Sequence, residues 1–115
     1  MLNKVLLVGN VVKKPELQTT KNDSKVVTLI VATNESYKKW TERVEKATYH
    51  ECVLWNSLWI YASTFDKGDL VSIEWKLNKR DYVDKNWIKR TVCEVLVDKV
   101  KLISRKNKRN LSEED

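Results

Sequence analysis

Apolar residues alternate with polar ones at a period of two, or gather into short β-branched runs bounded by turn signals, the two signatures of strands. Five stretches carry one or the other: "NKVLLVGNVV" (3–12), "KVVTLIVATNESY" (25–37), "ATYHECVLW" (47–55), "DLVSIEWKLNKRDY" (69–82) and "WIKRTVCEVLVDKVKLI" (87–103). In the fourth, Val71, Ile73, Trp75 and Leu77 share one face, and Ser72, Glu74, Lys76, Asn78, Arg80 and Tyr82 share the other. Trp75 is therefore assigned to the core. "KKPELQTT" adds a short extended piece, and "KND" and "VDKN" supply turns in a chain with only two glycines and one proline. "KKWTERVEK" (38–46) is charged and without apolar period, which predicts a loop.

One segment breaks the alternation. In "NSLWIYASTFDKG" (56–68), Leu58, Ala62 and Phe65 recur at helical spacing, Asn56 or Ser57 can cap the start, and Gly68 fits just past the end. Phe65 is assigned to the core. Three strands, a short helix and two strands is the order of an all-β OB-fold, a five-stranded Greek-key barrel with its helix between strands three and four. That predicts a single domain over 1–103, followed by a charged, frayed tail from Ser104 to Asp115.

Composition narrows the function. The chain has 115 residues and a net charge of +6, which suits polyanions, whether nucleic acid or an anionic membrane surface. It has no long apolar run, and "MLNKVLLVGN" lacks a signal-peptide cleavage site, so no membrane partner is expected. Two cysteines make no disulfide framework, and a cytoplasmic setting is expected. Both Cys52 and Cys93 are read as buried strand thiols. One histidine and two cysteines do not supply the three or four ligands of a zinc site. No glycine-rich phosphate loop or paired-carboxylate motif is present, so neither catalysis nor a cofactor is expected.

The ten aromatic residues are the strongest chemical signal. Tyr37, Trp40, Tyr49, Trp55, Tyr82 and Trp87 fall on polar faces or loop edges, several of them near a cation. An unpaired base offers a π-face on which such a ring stacks for about 1–3 kcal/mol, while Lys and Arg follow the phosphates. Duplex DNA hides those faces, so rings on a sheet would have nothing to stack on. Taken singly, each ring is equally well a cross-strand pair filling a small barrel. Stacking does not sense the 2′-hydroxyl, so these residues leave RNA and DNA both open.

The quoted segments, in their order and spacing, resemble the bacterial-type single-stranded DNA-binding protein (SSB) family over residues 2–103: "LNKVLLVGNVVKKPEL", "LIVATNESY", "TYHECVLWNSL", "DKGDLVSIEWKL" and "RDYVDKNWIKRTVCEVLVDKVKLI". The resemblance implies base-stacking roles for Tyr37, Tyr49, Trp55 and Tyr82. It implies basic contacts at Lys4, Lys38, Lys67 and Arg80, and a subunit-interface position for His50. It further implies a homotetramer wrapped by single-stranded DNA, acting with replication, recombination or repair proteins. Gln18, Glu51 and Ser57 depart from that pattern where many members carry Arg or Lys; Lys13, Lys14, Lys85 and Lys89 are the cations positioned to compensate. Trp75 stands where the family has glycine. Trp59 and Ile60 are unusually apolar, fitting either a self-association surface or extra core. The family's long linker and Pro-Phe acidic tip have no counterpart in "RNLSEED". That predicts a short accessory, phage, plasmid or mobile-element form, or the binding core of a longer protein. The rival readings are a primosomal or scaffold subunit acting through protein partners, and an RNA-binding OB domain.

Overall fold

The computed structural model describes residues 1–55 and 57–106. Its elements are β1 (Val5–Val11), β2 (Glu16–Thr19), β3 (Lys25–Lys39), β4 (Glu42–Trp55), α1 (Leu58–Ala62), β5 (Leu70–Val83) and β6 (Lys89–Ser104). Five strands close a ring in the order β1–β5–β6–β4–β3, shut by the β1–β3 pairs Asn10↔Ala32 and Val11↔Val31. The β4–β6 contact is parallel, Cys52↔Val95 and Val53↔Leu96; the other pairings are antiparallel. The expected OB barrel is present, with the short "ELQT" piece as a separate strand on the β3 edge.

Odd positions of β3 and even positions of β4 turn inward, so Val27, Leu29, Val31, Cys52 and Leu54 meet Val71, Ile73, Val95 and Val97 in the core. Closure depends on Gly9. A Cβ there would run into the Ala32 carbonyl, a backbone atom that cannot swing aside. The helix lies by the barrel end where β4 stops; Ala62 and the following Phe65 are fully buried, Trp59 packs against the core, and Ile60 is exposed. Ser57 occupies the N-cap position but its side chain makes no capping bond, and the other cap candidate, Asn56, lies outside the described residues. Gly68, at φ +92°, turns the chain after the helix segment.

Asp69 ties this end together. Nearly fully buried, it accepts from the Asp66 and Lys106 backbone N–H groups at 2.9 and 3.1 Å and lies 3.6 Å from Arg105 Nη1. Arg105 also donates to the Thr64 carbonyl at 3.2 Å. The first residues of the expected frayed segment are thus pinned; 107–115 lie outside the described residues.

Three expectations fail. The loop expected over 38–46 is instead the end of a long hairpin, with β3 and β4 paired out to Lys39↔Glu42 around a two-residue turn, Trp40–Thr41. Both faces of that ribbon are wet beyond the barrel, so no apolar period marks it. Trp75 is 39% exposed rather than core, and Leu77 is exposed beside it. The β1 ladder ends at Val5↔Trp75, and a register shift between Glu74 and Trp75 bends the ribbon off the barrel. The Lys76 ammonium then lies 4.4 Å from the Trp75 ring centroid. Cys93 is exposed, being on β6 beyond the barrel, whereas Cys52 is buried. Burial, reinforced by Glu51, pushes the Cys52 thiol up to about 12.

Candidate nucleic-acid interface

On β4, odd positions face outward: Tyr49, Glu51, Val53 and Trp55 form one row beside Ala32, Ile30, Thr28 and Val26 of β3. On β5 the outward row includes Asn78, Arg80 and Tyr82, opposite Glu94, Val92 and Arg90 of β6. The β4–β6 contact brings these rows together. Between them runs a groove of ≈320 Å³ lined by Gln18, Thr28, Glu51, Val53, Trp55, Arg80 and Glu94, among others. Trp55 and Tyr82 are about two-fifths exposed, and Tyr49 more so. The Arg80 guanidinium lies 5.6 Å from the Tyr82 ring centroid.

Glu94 is the groove's buried acid, at 5% exposure. Its Oε1 accepts from Asn78 Nδ2 and Arg80 Nε, each at 3.4 Å. Sequence reasoning missed Glu94, Asn78 and Thr28. Their alternation was legible, but the parallel β4–β6 contact that gathers them joins segments about forty residues apart, and no local pattern announces it.

The remaining candidates spread further. Tyr37, opposite Val44, lies on the other face of the β3–β4 hairpin from Tyr49, because no bulge interrupts the pleat between them. Trp40 and Trp87 stand at the tips of the β3–β4 and β5–β6 hairpins, 90% and 89% exposed. Lys38 is on the first of these hairpins, facing Arg43, and Lys85 and Lys89 flank the tip of the second. Lys13, Lys14 and Lys67 sit at the opposite, helix end.

Half of the cation candidates already face a carboxylate: Lys4 with Glu74 at 2.8 Å, Lys13 with Glu16 at 3.5 Å, Lys14 with Asp66 at 3.1 Å, and Arg80 with Glu94. The hydrogen bond to Glu74 holds the Lys4 amine above its ordinary value, and Lys4 draws Glu74 down in turn. These pairs are exposed except at Glu94 and the half-buried Glu74, and a phosphate can replace an exposed carboxylate at small cost. No ion pair involves Lys38, Lys67, Lys85 or Lys89 among the described residues. His50 is half-buried, its Nε2 2.9 Å from Thr33 Oγ1. No group of three His, Cys, Asp or Glu among the described residues could hold a metal ion, and no described helix is long and apolar enough to cross a membrane.

An outward groove on a small barrel, with aromatic rings and an arginine on the rows beside it, has the chemistry to hold a nucleic-acid strand. The model of the Single-strand binding protein family matches residues 2–103. The chain belongs to that family. The single-stranded DNA-binding proteins of Neisseria meningitidis serogroup A and Deinococcus radiodurans are 31% and 33% identical to it over 92% and 90% of its length. It spans 62% and 35% of those two relatives, less than two thirds of either. Single-stranded DNA-binding protein B of Bacillus subtilis is 32% identical over 92% of this chain and 94% of that one. Among solved structures, the Plasmodium falciparum SSB complex with ssDNA matches with a TM-score of 0.74 at 26% identity, covering 90% of this chain and 95% of that one. In the SSB frame, the described barrel accounts for nearly the whole matched region.

Proposed function

We propose that this chain binds single-stranded DNA without sequence preference and protects it during replication, recombination or repair. The observation that carries the reading is the groove lined by Trp55 and Arg80, with Tyr49 further along the Trp55 row and Tyr82 along the Arg80 row. Bases stack on the rings, and phosphates are held by Arg80 and by Lys38, Lys67, Lys85 and Lys89, with Lys4, Lys13 and Lys14 joining by exchanging a carboxylate for a phosphate. Tyr37 serves a strand that wraps round the β3–β4 hairpin to its other face. No bond is made or broken, so the protein is not an enzyme in this account. The family resemblance supports a homotetramer with His50 near a subunit contact.

The carboxylates Glu51 and Glu94 in the groove favour a second reading, a scaffold subunit with weak DNA affinity acting through replication proteins. Titration of the protein's tryptophan emission separates the two. Oligo-dT is expected to quench strongly, duplex little, and the log–log salt slope to be about −0.7 per phosphate contact. Absence of quenching by oligo-dT would leave the scaffold reading, and stronger binding of oligo-U would redirect the function to RNA.

A further inference from the structure

Both hairpin arms end in turns whose backbone calls for glycine, and both carry tryptophan there. Trp40 is the first central residue of the two-residue Lys39–Glu42 turn, at φ 64°, the position that type II′ geometry gives to Gly. Trp87 closes the three-residue loop between Asp84 and Ile88 at φ 62°, the left-handed position that Gly or Asn normally takes. Each ring is also about nine-tenths exposed. A bulky apolar residue at a strained, fully wet position opposes both backbone preference and hydrophobic burial, a combination that marks function.

The two tips project from one end of the barrel. β3 and β5 both run antiparallel to β1 and carry on in the same direction after their last pairs with it: β5 from Trp75, opposite Val5, to Val83, and β3 from Ala32, opposite Asn10, to Lys39. At ~3.3 Å per residue each arm reaches roughly 20 Å beyond its last β1 contact. Cations crowd both tips: Lys38, Lys39 and Arg43 by Trp40, Lys85 and Lys89 by Trp87. Neither tip contributes a residue to the groove's lining.

We infer that these arms recognise the junction where single-stranded DNA meets duplex: the groove holds the single strand, and a tip tryptophan stacks on the exposed face of the terminal base pair. That face is the one flat aromatic surface a duplex offers, and it needs a ring presented at the end of a ribbon rather than along a sheet. The flanking cations meet the doubled phosphate density there. This inference rests on the single-strand reading above.

The test compares the affinity of the full chain for an oligo-dT tail alone with its affinity for the same tail joined, at its 5′ or 3′ end, to a blunt DNA hairpin. The junction is expected to bind about fivefold or more tighter than the tail, the gain from one stacked ring. Trp40→Gly with Trp87→Gly is expected to erase that gain while the protein melts no lower than the parent, since glycine suits both turns. Failure to bind the tail at all would count against the single-strand reading itself. Tail binding with no junction gain would overturn the junction inference alone. So would equal losses for tail and junction in the double variant, which make the tips ordinary strand contacts. Tip-dependent binding to phosphatidylserine vesicles with no junction gain would overturn it in favour of a membrane surface.

Discussion

Glu51 stands in the outward row between Tyr49 and Trp55, so a strand stacked on both rings would pass it. A carboxylate beside a polyanion weakens binding unless a base N–H uses it. Glu51→Lys is expected to tighten oligo-dT binding and to steepen the log–log salt slope by about 0.7, one added phosphate contact. Affinities at several salt concentrations measure this, and an unchanged slope would mean that the strand avoids this row. At this scale the sequence was only partly readable. The alternation of Tyr49, Trp55, Arg80 and Tyr82 was visible, because each faces outward on a regular strand. Trp75 and Cys93 were misread because alternation reports a face and not whether that face is still covered: both lie where the ribbon has left the barrel.

The two hairpin arms extend beyond the barrel. The β5–β6 arm is fixed by Asp84, whose carboxylate accepts from the Asn86 and Ile88 N–H groups at 2.9 and 3.0 Å and pairs with Arg90 at 3.0 Å. The Ile88 bond foremost, then Arg90, hold Asp84 below its ordinary value of 3.8. A carboxyl lowered in the folded state adds stability that is present above the unfolded value and lost as pH falls through the folded one. The Asn86 and Ile88 amides are therefore expected to exchange slowly above pH 3.8, relative to their intrinsic rates, and to lose that protection as the pH drops below it. Asp84→Asn should weaken the protection at neutral pH. Protection that ignores both changes would contradict the assignment. The turn was legible in "VDKN" because Asp and Asn favour turns. The β3–β4 arm was not, because "KKWTERVEK" is wet on both faces and its turn carries Trp where Gly or Asn would have signalled a hairpin.

At the scale of the whole molecule, a ring of five strands turns local alternation into one functional surface. Gly9 lets β1 approach β3, the parallel β4–β6 contact sets Trp55 near Arg80 and Glu94, and Asp69 anchors the far end of β6. The element order announced the barrel, since each strand carries its own pattern. The groove was not announced, since its walls come from segments joined only by closure. The measurement closest to the central claim is the oligo-dT affinity of Trp55→Ala beside that of Ile60→Ala, an exposed helix residue outside the groove. The account predicts a loss of about fivefold to a hundredfold for Trp55→Ala, the worth of one stacked base, and parent-like binding for Ile60→Ala. Parent-like binding by a folded Trp55→Ala protein would contradict the path of the strand along this groove.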